Sequence, residues 1–251
     1  MSATLHERHK LVFDWVPDCK RILDAGCGFG ELTRHLSSKA EAVYGCEPNQ
    51  ELIGRAIEEC GNLAHLFFGG VEQTPYPTAF FDVVVLADVL EHVRDERTVL
   101  DEIFRVLKPG GTMIITTPHR GAFSFMDTEN YIWLMQKYAP GVHQALFRIK
   151  HGRNPEAKPG YGDRHRHYSL GGLIRVLDGS RFRGRYQIEK VHRGGLFCYA
   201  IASNVFEALS LVVGSGWVNK ILWPLNKILD WDYFIPYGPF SYNIGICVKK
   251  L

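Results

Sequence analysis

Two carboxylates and three glycines have the spacing to hold a small charged ligand. In Ile22-Leu23-Asp24-Ala25-Gly26-Cys27-Gly28-Phe29-Gly30 an acid ends a short apolar run, and glycine then occupies every second position. Glycines so placed let the backbone turn sharply and approach a ligand closely. Asp24 can meet a cationic amino group, directly or through water. Glu47 ends the next apolar run, where its carboxylate can accept both hydroxyls of a ribose. The spacing is G-x-G-x-G, not the G-x-G-x-x-G that seats a pyrophosphate.

A ligand with a ribose, a charged amino-acid tail and no phosphate is S-adenosyl-L-methionine. These residues suit it better than a nicotinamide dinucleotide, which disfavours a nicotinamide-dependent dehydrogenase. Such a cofactor carries a methyl group already activated on sulfur, so the protein chiefly aligns a nucleophile. A base is needed only when the acceptor must lose a proton.

Three residues are candidates for direct catalytic work. Asp88 stands at the end of the run Phe81–Ala87, and could serve the cofactor equally well. His119 directly follows an apolar strand pattern, at the end of a sheet where ligands bind, and can act as a base near neutral pH. It also reads as an ordinary loop histidine. His165 and His167 flank Arg166 in Asp163-Arg164-His165-Arg166-His167-Tyr168-Ser169. Ser169 suits a helix N-cap. Spacing supplies no third ligand for a metal, and the six cysteines form no C-x-x-C pair. Glu91 and His92 fit loop orientation and helix capping.

Elements in alternation must position these residues. Apolar residues at Leu5–Val16 suggest an entry helix ending before Pro17. Strands are expected at 21–24, 42–46, 64–68, 81–87 and 112–116, with helices at 31–38, 50–60 and 98–107. Lys108-Pro109-Gly110-Gly111 stops the last of these helices. Strands apolar on both faces and separated by helices belong to a parallel sheet covered on both sides. After Pro118 the regularity fades, with a helix near 131–138, a polar loop at 154–162, a helix at 170–177 and a strand at 185–191. A final strand is expected at 243–248.

From about residue 20 to 118 the chain resembles the class I S-adenosylmethionine-dependent methyltransferases, in the branch of the ubiquinone-biosynthesis O-methyltransferases. The segments LDAGCGFGELT, VYGCEPNQ, FDVVVLADVLEHVRD and EIFRVLKPGGTMIITTP carry the resemblance, in order and spacing. It implies a Rossmann-like, mostly parallel seven-stranded α/β sheet with helices on both faces. The last strand would run antiparallel beside the fifth. It further implies that Asp24, Gly26, Cys27 and Gly28 line the methionine moiety and that Glu47 holds the ribose. Pro48 and Asn49 would lie beside the adenosine, with Ala87 and Asp88 facing the sulfonium. Leu90-Glu91-His92 would open the next helix, and the run His165–Ser169, similar to one the family often shows, would put His167 at an active-site rim. The family usually shows an acid where Gly70 stands, so adenine contacts fall to the backbone of Val71 and the side chain of Glu72.

Composition bounds the remainder. With 251 residues, 46% hydrophobic and 22% charged, the chain can bury a full core. A single domain over 1–251 is expected: a cofactor-binding half at 1–118, and substrate-facing cap insertions at 119–168 and 196–240. The net charge of +2 excludes little, but residues 148–193 hold twelve Lys/Arg against four Asp/Glu. That excess can attract an anionic group on the acceptor or an anionic membrane surface; no nucleic-acid partner is expected. The N-terminus lacks a signal-peptide core and the cysteines are scattered, which suggests a cytoplasmic protein. Residues 196–213 are apolar but interrupted by Asn204 and Glu207, and 217–229 are amphipathic, so 196–240 fits a lid or a peripheral membrane contact. Methyl transfer to oxygen of a small-molecule, lipid-linked or glycan acceptor is expected. A cofactor-binding protein without catalysis is the alternative.

Overall fold

Apolar runs and helical stretches alternate along the chain as the hydrophobic periodicity requires. A computed structural model describes residues 7–122, 124–151, 166–195 and 232–251. The strands are Cys19–Ala25 (β1), Ala40–Glu47 (β2), His65–Phe68 (β3), Phe81–Ala87 (β4), Leu107–Pro118 (β5), Tyr186–Gly194 (β6) and Asn243–Lys250 (β7). The helices are Glu7–Trp15 (α1), Glu31–Leu36 (α2), Gln50–Cys60 (α3), Glu96–Val106 (α4), Thr128–Tyr138 (α5), Pro140–His151 (α6) and Leu170–Asp178 (α7).

One seven-stranded sheet has the order β3-β2-β1-β4-β5-β7-β6. β1 pairs parallel with β2 and β4, β2 with β3, and β4 with β5, whereas β7 runs antiparallel to β5. The order reverses between β1 and β4. Open sheets of this kind bind ligands at that switch point, beyond the carboxyl ends of the strands. Asp24 and Ala87 sit at those two ends.

Alternate residues of the strands feed two cores. Leu23, Val84, Leu86, Met113 and Ile115 pack with Val99, Leu100 and Ile103 of α4 and Leu173 and Leu177 of α7. Ile22, Val83, Val85 and Ile114 face the other way, against Val12 of α1 and Leu32 and Leu36 of α2. Each such side chain contributes about 1.5–3 kcal/mol through burial. Helix ends are tied down locally. Asn49 caps α3, Asp95 caps α4, and the expected cap Ser169 accepts from the Gly172 N–H at 3.1 Å. At the other end of α4, Lys250 Nζ donates to the carbonyls of Phe104 and Leu107, each at 2.7 Å.

Three expectations are corrected. Leu90-Glu91-His92 does not open a helix: α4 starts only at Glu96, behind its cap Asp95. Lys108-Pro109-Gly110-Gly111 does more than end that helix. β5 already pairs at Leu107 with Phe81, then resumes at Thr112 with Val83, so these four residues form an irregularity within the strand. Helix α6 was not expected at all. Its apolar Val142 and Leu146 stay largely exposed, so the segment lacks the buried stripe that makes a helix visible in sequence.

The chain packs as two compact units. The first comprises 1–118, 168–192 and 243–251, and the second 119–167 and 193–242. In the second, Tyr242 N–H donates to the Gly195 carbonyl at 2.6 Å, and Gly195 N–H to that of Asp232 at 3.3 Å. The expected polar loop at 154–162, with Arg164, His165 and the stretches 196–213 and 217–229, lies outside the described residues. Among the described residues no helix is long and apolar enough to cross a membrane.

Candidate functional site

The glycine turn after β1 is built as its spacing requires. Gly26, Gly28 and Gly30 have φ of 79°, 53° and 82°, which side chains other than glycine adopt at a cost. The N–H groups of Gly26 and Cys27 both donate to the Cys46 carbonyl, at 2.9 and 3.0 Å, pinning the turn to the end of β2. A Cβ on Gly26 would stand 2.6 Å from Val89 Cγ2, and one on Gly30 2.8 Å from Cys60 Sγ. A Cβ on Gly28 would meet nothing within 4 Å. Two glycines are therefore there for packing, and the middle one borders open space.

The Glu47 carboxylate reaches that glycine. Glu47 is buried, and its carboxylate accepts from the N–H of Gly28 at 3.2 Å and that of Asn49 at 2.9 Å. It thus links the loops after β1 and β2, with Pro48 exposed between Glu47 and the helix cap. Asp24 is buried and accepts from Thr33 Oγ1 at 2.6 Å. Burial raises its pKa, offset by the Thr33 hydrogen bond and the nearby His9. Cys27 is buried beside them, and burial raises its thiol pKa far above the ordinary range, which makes it an inert wall rather than a nucleophile.

At the end of β4, Ala87 leads to Asp88, a non-glycine residue held at φ 56°. One Asp88 oxygen pairs with Arg8 of α1, and the other is buried without a hydrogen-bond partner. His9, next along α1, contacts Glu31 at 3.1 Å, at the start of α2. Glu91 is buried and accepts from Thr117 Oγ1 at 3.0 Å, so it orients the loop after β4 rather than capping a helix.

Burial pushes the Glu91 carboxyl well above its ordinary value of 4.5, and the Asp88 charge acts the same way. The folded chain then keeps a proton that the unfolded chain releases. This contribution to stability is full below the unfolded value and declines as pH rises towards the raised folded value. Glu91→Gln keeps an acceptor for Thr117 and removes the titration. Its melting temperature relative to wild type is expected to climb by several degrees between about pH 5 and pH 8. A difference independent of pH would contradict a protonated Glu91.

Beyond β3, Gly69 N–H donates to the Glu47 carbonyl at 3.2 Å, bringing the next loop alongside the site. Val71 is buried in the main core. The Glu72 carboxylate fills the position that a Cβ on Gly70 would take. The Glu72 side chain thus folds back beside Gly70.

His119 and His167 belong to the second unit. His119 is buried, and its Nδ1 meets the Ser241 carbonyl at 3.0 Å. Burial lowers its pKa; Arg193 and His167 lower it further, against the Ser241 hydrogen bond. His167 Nε2 meets Asp127 Oδ2 at 2.6 Å. The first unit holds Asp24, Gly26, Cys27, Gly28, Glu47, Pro48, Val71, Glu72, Ala87 and Asp88, in β1, β2 and β4 and the loops that follow β1, β2, β3 and β4, and the second holds the two histidines. Sequence reasoning missed Arg8, Thr33, Thr117 and Asp127. Only Asp127, just ahead of an expected helix, carried any local signal.

Space beside Gly28, an orphaned Asp88 oxygen and carboxylates for an amino group and a ribose fit S-adenosyl-L-methionine, and no feature of the turn calls for a phosphate. A family described as "Methyltransferase domain" matches residues 23–115. The chain is 30% identical over 150 residues to a ubiquinone biosynthesis O-methyltransferase of Aeromonas salmonicida, covering 55% of this chain and 63% of that protein. It is 34% identical over 122 residues to a probable S-adenosylmethionine-dependent methyltransferase of Mycolicibacterium smegmatis, covering 47% and 46%. The matches therefore span less than two thirds of these curated relatives. Among solved structures, a TehB-like SAM-dependent methyltransferase of Corynebacterium glutamicum superposes with a TM-score of 0.56 at 17% identity, covering 99% of this chain and 89% of that one. Sheet order and glycine turn agree with these matches: residues 23–115 are similar to a methyltransferase domain, and the fold is that of the solved SAM-dependent methyltransferase.

Proposed function

We propose that the protein transfers a methyl group from S-adenosyl-L-methionine to an oxygen of a small-molecule, lipid-linked or glycan acceptor. The observation that carries this reading is the Glu47 carboxylate at the Gly28 N–H, where a Cβ would meet nothing within 4 Å, in a chain whose residues 23–115 match a methyltransferase domain. The cofactor supplies a methyl group activated on a sulfonium. Asp24 holds its amino group, Gly26, Cys27 and Gly28 line the methionine tail, and Glu47 receives the ribose hydroxyls. Pro48 and Val71 flank the adenosine, and Ala87 and Asp88 border the sulfonium. The choice of oxygen leans on the O-methyltransferases among the relatives. Segments 119–168 and 196–240 act as the substrate-facing cap, the latter with a peripheral membrane contact on a cytoplasmic protein.

The test is incubation with S-adenosyl-L-methionine carrying an isotopically labelled methyl group and extracted lipids and glycans, read by mass spectrometry. Adenosylhomocysteine release with label on a lipid or glycan oxygen is expected. Label on nitrogen or carbon alone would overturn the oxygen reading, and binding without turnover would leave a cofactor-binding protein.

Glu72 takes the adenine amino group in this reading. Glu72→Gln is expected to weaken adenosylhomocysteine binding about tenfold, the difference between a charge-assisted and a neutral hydrogen bond. Binding of S-inosylhomocysteine, which presents a carbonyl in place of that amino group, should not weaken. Equal losses for both ligands would remove Glu72 from adenine recognition.

A further inference from the structure

The seam between β5 and β7 buries polar groups that no step above uses. Asn243, the first residue of β7, is 1% exposed, and among the described residues neither its Oδ1 nor its Nδ2 has a hydrogen-bond partner. Because both ends are orphaned, it makes no difference which way the amide is turned. Thr116 of β5 is 0% exposed, and its Oγ1 is orphaned in the same way. Buried polar atoms without partners are rare in folded proteins, and three on one seam point to a ligand that completes them.

These atoms share one face of the sheet. Thr116 lies two residues beyond Ile114 and Asn243 four before Cys247, and Ile114 and Cys247 pack together on the α1 side. Thr116 stands opposite Gly245 in the antiparallel register, which makes Asn243 its diagonal neighbour, about 7–8 Å away. The Thr116 carbonyl accepts from the Asp88 N–H at 2.9 Å, so the loop after β4 starts beside the same seam. There Asp88, at φ 56°, keeps its own Oδ1 buried and unpartnered. Asp88, Thr116 and Asn243 all belong to the first unit.

We infer that Asn243 and Thr116, with Asp88 at their edge, form a subsite that holds a neutral pair of adjacent hydroxyls on the methyl acceptor. Asn243 offers donor hydrogens and an acceptor oxygen, the Thr116 hydroxyl can do either, and Asp88 Oδ1 only accepts. Two adjacent hydroxyls match the amide edge. One donates to Oδ1, and the other accepts from Nδ2 with its own hydrogen left for Thr116 or Asp88. A carboxylate or phosphate only accepts, so it would complete Nδ2 and Thr116 but leave the oxygens of Asn243 and Asp88 facing another acceptor. An ammonium group only donates and would leave Nδ2 orphaned. The subsite rests on the oxygen reading above and narrows the acceptor to one with vicinal hydroxyls, such as a sugar ring.

The competing role is structural, with a bound water completing the same atoms. The test uses the full chain saturated with adenosylhomocysteine and labelled with 15N-asparagine, the Asn243 amide signal being the one lost in Asn243→Leu. The probes are trans-1,2-cyclohexanediol, cyclohexanol and cyclohexanecarboxylate, which share a ring and differ in their polar groups. The diol is expected to shift the Asn243 amide and to bind about tenfold more tightly than cyclohexanol, the worth of one further hydrogen bond. The carboxylate should bind more weakly still. Asn243→Leu and Thr116→Val replace each polar group by an apolar one of similar shape. Both should lose the diol preference yet melt at or above wild type, because an unsatisfied buried group has been removed. An unmoved Asn243 amide, equal binding of diol and cyclohexanol, a preference that survives both substitutions, or a fall of several degrees in both melting temperatures overturns the subsite. Those results leave O-methylation standing, since label on an acceptor oxygen is read separately. Label on nitrogen or carbon alone instead overturns the oxygen reading, and this acceptor subsite with it.

Discussion

Glu47→Ala is expected to weaken adenosylhomocysteine binding by about a hundredfold or more, which corresponds to roughly 3 kcal/mol. Two effects add. The ribose loses a charged acceptor, and charge-assisted hydrogen bonds are the strong ones. The Gly28 and Asn49 N–H groups lose the carboxylate that ties the two loops together. Glu47→Gln separates these effects, because the amide oxygen can still accept one N–H but carries no charge. It should fold like wild type and bind more weakly by an intermediate factor. Calorimetric titration checks both variants, and wild-type affinity in Glu47→Ala would mean that the ribose is held elsewhere.

The glycine turn yields the second large effect, as a contrast between neighbours. Gly26→Ala puts a side chain at φ 79° with Val89 Cγ2 2.6 Å away. A left-handed backbone costs about 1–2 kcal/mol and overpacking about 1–3, so a loss of about 2–5 kcal/mol of stability is expected. Gly28→Ala carries only the backbone term, since its Cβ would meet nothing within 4 Å. That variant should stay folded and lose cofactor affinity, because its methyl group enters the space assigned to ligand. Chemical denaturation and titration read the two losses separately. Equal destabilisation with unchanged binding in Gly28→Ala would show that the space beside it is not the cofactor site.

Much of this could be read from residues alone, for identifiable reasons. The helix expected at 50–60 is α3 to the residue, and the structure shows Asn49 capping its start. β4 matches its expected span because a continuous apolar run has no other home than a sheet covered on both faces. The candidate cofactor residues were nameable from sequence because they are local: the turn, Asp24 and Glu47 each sit at the end of a strand. What stayed hidden depends on distance along the chain. Arg8 pairs with Asp88 across 80 residues and Asp127 with His167 across 40, and periodicity carries no such information. That the Glu72 carboxylate folds back beside Gly70 is likewise visible only in the folded loop.

The central claim is the identity of the cofactor, and one titration tests it most directly. Wild-type protein is titrated in a calorimeter with adenosylhomocysteine and, separately, with NAD. The account predicts micromolar binding of adenosylhomocysteine and no measurable binding of NAD, since the turn at Gly26–Gly30 offers no seat for a pyrophosphate. Preference for NAD, or no binding of adenosylhomocysteine, would contradict it.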